Sequence, residues 1–230
     1  VSQASRAAQG GRATPSARTS RPMVLAGGAV LLVAAGLVVL MLARPSSSSP
    51  SDTGAASSTS APAETSADVG FARDMAVHHQ QAVEMAFVVR DRTADVAVRR
   101  LAYDIINTQA NQRGMMLGWL ETWGRSKSSP GPPMAWMGHA FTSRGDGALM
   151  PGMATDAELD ALRAAKGRDA EVRFLRLMTA HHRAGAEMAQ AAADAAGTEE
   201  IRNLASGMVL GQRSEIALMA DMLKERGATD

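Results

Sequence analysis

The chain carries one segment twice. Residues 71–124 align with residues 174–227 at a constant offset of 103, without a gap, and 16 of the 54 positions are identical. The identities include Phe71/Phe174, Arg73/Arg176, Met75/Met178, His78/His181, His79/His182, Glu84/Glu187, Met85/Met188, Leu101/Leu204, Gln109/Gln212, Met116/Met219, Leu120/Leu223 and Gly124/Gly227. A unit of this size cannot bury its own apolar face, so two copies are expected to fold alike and pack on one another. Each copy reads as a helical hairpin. The first helix is expected from about Ala67 to Arg92 and its counterpart from Asp169 to Ala196, where Gly197 supplies a stop and Thr198 an N-cap. The second helices are expected from about Asp95 to Trp123 and from Glu199 to Glu225, with Gly124 and Gly227 shortly after them. Thr155 and Glu158 form a capping box that predicts a short helix over Asp156–Lys166. The fold class is therefore all-α: a duplicated helical hairpin making a four-helix bundle with an approximate internal two-fold. Composition agrees, since 46% of residues are hydrophobic but only 3% aromatic. The apolar content comes chiefly from helix formers such as Ala, Leu and Met, which excludes an all-β fold.

The remainder of the chain is organised around that domain. Met23 to Ala43 is an uninterrupted apolar run bounded by Arg21 and Arg44, and about 20 apolar residues suffice to span a bilayer as a helix. Arg6, Arg12, Arg18 and Arg21 precede it, so the positive-inside rule predicts a cytoplasmic N-terminus over 1–22 and an exported remainder. The run is longer than the usual apolar core of a signal peptide, which favours an uncleaved anchor at 23–43; cleavage would make the protein secreted. Residues 44–66 are rich in Ser, Thr, Pro and Ala and read as a flexible linker. The domain then occupies 67–230, with repeat 1 at about 71–124, a connection at 125–154, the short helix at 155–166 and repeat 2 at about 174–227. Residues 1–44 carry five arginines and no acid; of the 24 Lys and Arg, 19 remain beyond them against all 23 Asp and Glu. A mildly acidic domain without a basic stripe argues against a nucleic-acid partner. There is no cysteine, which excludes disulfides, thiolate metal sites and thiol nucleophiles.

Histidine and methionine carry the chemistry. On a helix turning about 100° per residue, Met75, His78, His79, Ala82, Met85 and Ala86 fall within an arc of about 120°, with Glu84 opposite. The second copy repeats this with Met178, His181, His182, Gly185, Met188 and Ala189. Gln109, Gln112 and Met116 share a face of the second helix, as do Gln212, Glu215 and Met219. Faces turned inward would gather four imidazoles and several thioethers around the two-fold. Imidazole suits copper, zinc, iron and nickel, whereas thioether sulfur selects soft ions, Cu(I) above all, so copper is the expected metal. The chain has no Glu-x-x-His pair, which argues against a di-iron carboxylate centre. A second candidate lies in the connection, with Met134, Met137 and His139 close in sequence and Met150 and Met153 framing Met-Pro-Gly-Met; Trp136 and Phe141 suggest that this connection folds back over the bundle. The alternatives are structural. A buried histidine is commonly a hydrogen-bonded core residue and methionine an adaptable filler, which would leave a non-catalytic interaction module docking on a membrane or envelope protein. No Gly-x-Ser-x-Gly, His-Glu-x-x-His, P-loop or Gly-x-Gly-x-x-Gly motif is present, so an enzyme is not expected. A copper-dependent oxidase is the remaining catalytic option.

The stretches FARDMAVHHQQAVEMA and FLRLMTAHHRAGAEMA, with MPGM before the second copy, resemble the family called domain of unknown function 305 over roughly residues 69–227. The resemblance implies a ferritin-like four-helix bundle in exported bacterial proteins, some of which bind copper and help cells tolerate it. By motif position it points to Met75, His78, His79, Met85, Met178, His181, His182 and Met188. Two departures stand out: Gln81, where glycine is common in the family, and Arg183, where glutamine is usual.

Overall fold

The computed structural model describes residues 60–229. Among these it contains five α-helices and no strand: α1 (Ala67–Arg90), α2 (Val96–Thr122), α3 (Asp156–Ala164), α4 (Gly167–Ala195) and α5 (Glu199–Glu225), with a single 3-10 turn at Ala135–Met137. The ends fall within two residues of those expected from sequence, because caps set them. Ser66, Asp95 and Thr198 accept from the backbone N–H three residues on, at Val69, Val98 and Ile201. Thr155 and Glu158 complete the capping box of α3. None of these helices is long and apolar enough to cross a membrane. The apolar run at 23–43, the basic N-terminus and the linker as far as residue 59 lie outside the described residues. From Ser60 the last linker residues lie along the domain, where the Pro62 carbonyl accepts from Arg125 Nε at 2.9 Å and Glu64 pairs with Arg73 at 2.6 Å.

α1 packs on α2, α4 packs on α5, and the two hairpins meet through α1 and α4. The duplication is written into the contacts. Arg73 Nε donates to the Ser126 carbonyl at 2.7 Å, and Arg176 Nε to the Thr229 carbonyl at 2.8 Å; donors and acceptors alike are separated by the repeat offset. Each arginine thereby satisfies a carbonyl just past its partner helix, next to a glycine in the left-handed region, Gly124 (φ 65°) or Gly227 (φ 59°). Arg99 donates to the Arg90 and Thr93 carbonyls, and Arg202 to those of Ala196 and Gly197, so each holds the turn of its own hairpin.

Two acids tie one hairpin to the other. Asp68, at the start of α1, accepts from the Gly197 N–H (2.9 Å), the Thr198 N–H (2.8 Å) and the Thr198 hydroxyl (2.7 Å) in the α4–α5 turn. Burial pushes its carboxyl pKa up, but these three bonds outweigh that and hold it below the usual range. Glu171, which equals Asp68 shifted by the repeat offset, accepts from the Thr93 hydroxyl in the α1–α2 turn and from Arg226 Nε at 2.7 Å.

The interior consists of two apolar clusters. One contains Phe71, Met75, Met116, Leu120, Met188, Ala192 and Met208; the other contains Met85, Val89, Leu101, Ile105, Phe174, Met178 and Met219. Residues early in α1 share a cluster with residues late in α4 and the reverse, so these helices run antiparallel. On all four long helices the boundary between clusters falls at polar residues: His78 and His79, Gln109 and Gln112, His181 and His182, Gln212 and Glu215.

Candidate metal centre

That boundary is a buried polar layer. His78, His79 and His182 are 0% exposed and His181 is 1% exposed. The rings of His78 and His181 lie 3.7 Å apart between centroids and are tilted by 36°. Equivalent residues of two repeats touch only at the axis that relates them, so the internal two-fold passes between these imidazoles. The small residues Ala82 and Gly185 follow one turn later, and Gly185 has a purpose: a Cβ there would stand 2.5 Å from Gln212 Oε1.

Three of the four rings are oriented by an acceptor at Nε2. His79 Nε2 donates to Gln112 Oε1 at 2.9 Å, His182 Nε2 to Glu215 Oε2 at 2.6 Å, and His181 Nε2 to the His78 carbonyl at 3.0 Å. An acceptor at Nε2 places a ring proton there, and in a neutral ring leaves the lone pair on Nδ1. The Nδ1 atoms of His79 and His182 have no hydrogen-bond partner, nor has either ring nitrogen of His78, nor Oε1 of Gln109 and Gln212. Unpartnered buried polar atoms carry a cost of about 1–3 kcal/mol each. Here they gather in one layer, and the His79/His182 and Gln109/Gln212 pairs are related by the two-fold.

Burial holds three of the imidazoles, His78, His79 and His181, towards the neutral form. Burial lowers the pKa of His78 to about 3, helped by the neighbouring His79 and His182 and opposed by the Pro151 carbonyl, which lies nearby without completing a hydrogen bond. Burial takes His79 to about 4 against the opposing bond to Gln112, and pushes His181 well below the ordinary value, with His78, His182 and His79 adding to the effect. Neutral imidazole is the form that ligates metals, so at these three rings no proton competes for the lone pairs at neutral pH. These donors fit a soft cation in kind. Among the described residues no group of three or more His, Asp or Glu side chains is placed to hold a metal ion, so methionine or a side-chain movement would have to complete any coordination.

Methionine lines the layer on both sides. Met75 and Met188 lie in one flanking cluster, Met85 and Met178 in the other, all fully or almost fully buried. The connection, treated from sequence as a separate candidate, joins the first of these. Met134 and Met150 are buried in the cluster of Met75 and Met188, with Met137 and Met153 packed against it. His139 is exposed and is no part of the buried layer. The connection does fold back over the helices. Asp74 Oδ2 accepts from the Met134 N–H (2.8 Å) and from Trp136 Nε1 (2.9 Å), and Trp136 meets Phe71 edge-on at 5.9 Å. Further along, Gly152 (φ 75°) lies so close to α4 that a Cβ would stand 2.5 Å from Ala184 Cβ and 2.7 Å from the Ala180 carbonyl oxygen. Gln81 fastens this strap: its amide donates to the Ala154 carbonyl at 2.8 Å and accepts from the Ala154 N–H at 2.7 Å.

The roles of Gln112, Glu215 and Gln81 were not assigned from sequence. Gln112 and Glu215 were visible as members of the histidine-facing stripe, whereas the partner of Gln81 lies 73 residues away. Glu84 is aimed outward and pairs with Arg163, and Arg183 is exposed, so its charge does not enter the layer.

Fold and site together define a class: an all-α protein whose two like hairpins enclose a layer of buried imidazoles between methionine-containing clusters. The chain belongs to the family described as domain of unknown function (DUF305), whose model matches residues 68–223. A DUF305 protein of Streptomyces coelicolor, described as a candidate secreted protein, is similar at 57% identity and a TM-score of 0.68, covering 73% of this chain and 98% of its own. A DUF305 fragment from Deinococcus radiodurans is similar at 33% identity and a TM-score of 0.59, covering 69% and 96%. CopM in its Cu(I)-bound form is similar at 25% identity and a TM-score of 0.54, again covering 69% and 96%. No functionally curated protein matches the chain.

Proposed function

We propose that this protein binds copper on the outer side of the cell membrane through the histidine layer and its flanking methionines, buffering or handing on the ion without catalysing a reaction. The observation that carries this reading is the set of unpartnered ring nitrogens on His78, His79 and His182 among four fully or almost fully buried histidines. A structural core has no use for such orphans, whereas a ligand set requires them. Met75, Met85, Met178 and Met188 supply soft donors on either side, which suits Cu(I). The Cu(I)-bound CopM structure supports the choice of metal. The description of the Streptomyces coelicolor relative supports an outward location, and the apolar run at 23–43 would hold a bundle of ferritin-like type at the membrane. A second reading, an interaction module docking on an envelope protein, is favoured by one observation: three of the rings already spend Nε2 on protein acceptors and all four are sealed from solvent.

Competition with a chelator of known affinity, for Cu(I) and Cu(II) separately, tests this on the full chain. One variant changes His78, His79, His181 and His182 to Ala. A second changes Met75, Met85, Met178 and Met188 to Leu, a swap that conserves volume and keeps the core filled. We expect the histidine variant to lose binding and the methionine variant to lose Cu(I) binding more than Cu(II). Equal binding by wild type and the histidine variant would place the metal elsewhere. No binding by wild type would put the interaction module first.

A further inference from the structure

The two halves of the layer differ at one telling position. Gln112 and Glu215 are equivalent under the repeat offset, and each accepts from Nε2 of the second histidine in its pair, at 2.9 Å and 2.6 Å respectively. One is an amide and the other a carboxylate. An amide can turn round and present its NH₂, leaving the tautomer of His79 free to change, whereas a carboxylate can only accept and fixes His182 with its proton on Nε2. A carboxylate also draws that N–H more strongly and makes the opposite nitrogen a better donor, as in carboxylate–histidine–metal arrangements. Nδ1 of His182 is that opposite nitrogen, and it is buried without a partner. Glu215 is itself 26% exposed at the side chain, so it brings its charge to the edge of the layer without being sealed inside.

Resting on the reading that the layer holds copper, we infer that Glu215 is a positioning residue, which through its bond to His182 makes the second repeat the stronger-donor half of the site and sets the preference between Cu(II) and Cu(I). A better nitrogen donor backed by a negative charge stabilises the more highly charged ion more. The amide-backed half, by the same argument, favours Cu(I).

The exchange variants Glu215→Gln and Gln112→Glu test this in the full chain, with far-UV circular dichroism and denaturant unfolding confirming that each folds. Affinities for Cu(I) and Cu(II) are measured by chelator competition at one fixed pH, and the Cu(II) spectrum is followed by electron paramagnetic resonance. Glu215→Gln is expected to weaken Cu(II) binding by about 10–100-fold with a smaller loss for Cu(I), and Gln112→Glu to strengthen Cu(II) binding. In the metal-free protein, imidazole ¹⁵N shifts should show His182 as a fixed Nε2–H tautomer that becomes mixed in Glu215→Gln. If wild type binds copper at the histidines and the ratio of the two affinities is the same in all three proteins, the inference falls and the copper reading stands. An equal loss for both oxidation states would make Glu215 merely structural and also overturn it. If wild type binds no copper, or the four-histidine variant binds equally, both fall together.

Discussion

At the scale of single residues, the histidines make stability depend on acid in a defined direction. His78 and His79 ionise near 3 and 4 in the folded protein against 6.5 when unperturbed. Above pH 6.5 both states are neutral and nothing is lost. Below it the unfolded chain takes up protons that the folded core refuses, so folding weakens as pH falls through the window from about 6.5 towards 4, by up to about 1.4 kcal/mol per pH unit for each such histidine. Urea midpoints measured in metal-free protein between about pH 7.5 and about pH 4.5 should follow this slope, and His78→Asn should make it shallower. A midpoint that does not move would mean that the rings are not sealed as described. Helix pitch was enough to foresee which side chains turn inward, since His78 and His79 are inside while Glu84 pairs at the surface with Arg163. It could not reveal that Met75 and Met85 lie in different clusters, because a wheel projects away position along the axis.

Elements raise a different question, namely how a connection rich in Gly and Pro comes to lie flat on two helices. Asp74 gathers Met134 and Trp136 at one end, and Gln81 grips Ala154 at the other. Between them Gly152 combines a left-handed backbone with contact against α4. Gly152→Ala meets both obstacles and should cost about 1–3 kcal/mol in a denaturant titration. Wild-type stability in that variant would mean that the strap does not sit against Ala180 and Ala184. Identities between the repeats foretold the hairpins because they mark their joints: Arg73 and Arg176 close the far ends, Arg99 and Arg202 the turns. Of the strap, Trp136 and Phe141 announced that it folds back on the bundle, but nothing in the sequence announced what fastens it. Gln81 stood out in the sequence only as a departure from the family, and its purpose depends on backbone brought near by folding.

For the whole molecule, the bonds of Asp68 and Glu171 matter most, since each fastens the start of one hairpin to the turn of the other. They grip opposite ends of the antiparallel α1–α4 pair and share no partner. Asp68→Ala removes three hydrogen bonds to the part-buried α4–α5 turn and should cost about 1–3 kcal/mol. Combined with Glu171→Ala, the two losses should add within about 0.5 kcal/mol while unfolding stays a single transition. A separate early transition for one hairpin would show that the halves do not stand or fall together. This pair escaped the sequence comparison because Asp and Glu are not identical and both precede the aligned segment.

These crossed bonds bear on descent. Every hairpin owns both a plug, the acid at its start, and a socket, the turn at its middle, so one hairpin is self-complementary in the manner of an isologous dimer interface. Two copies of a half-length chain would close on each other through the same contacts, and joining them end to end changes nothing in that geometry. What joining adds is freedom to differ: separate identical chains must carry the same residue facing both histidine pairs, whereas the fused chain carries Gln112 on one side and Glu215 on the other.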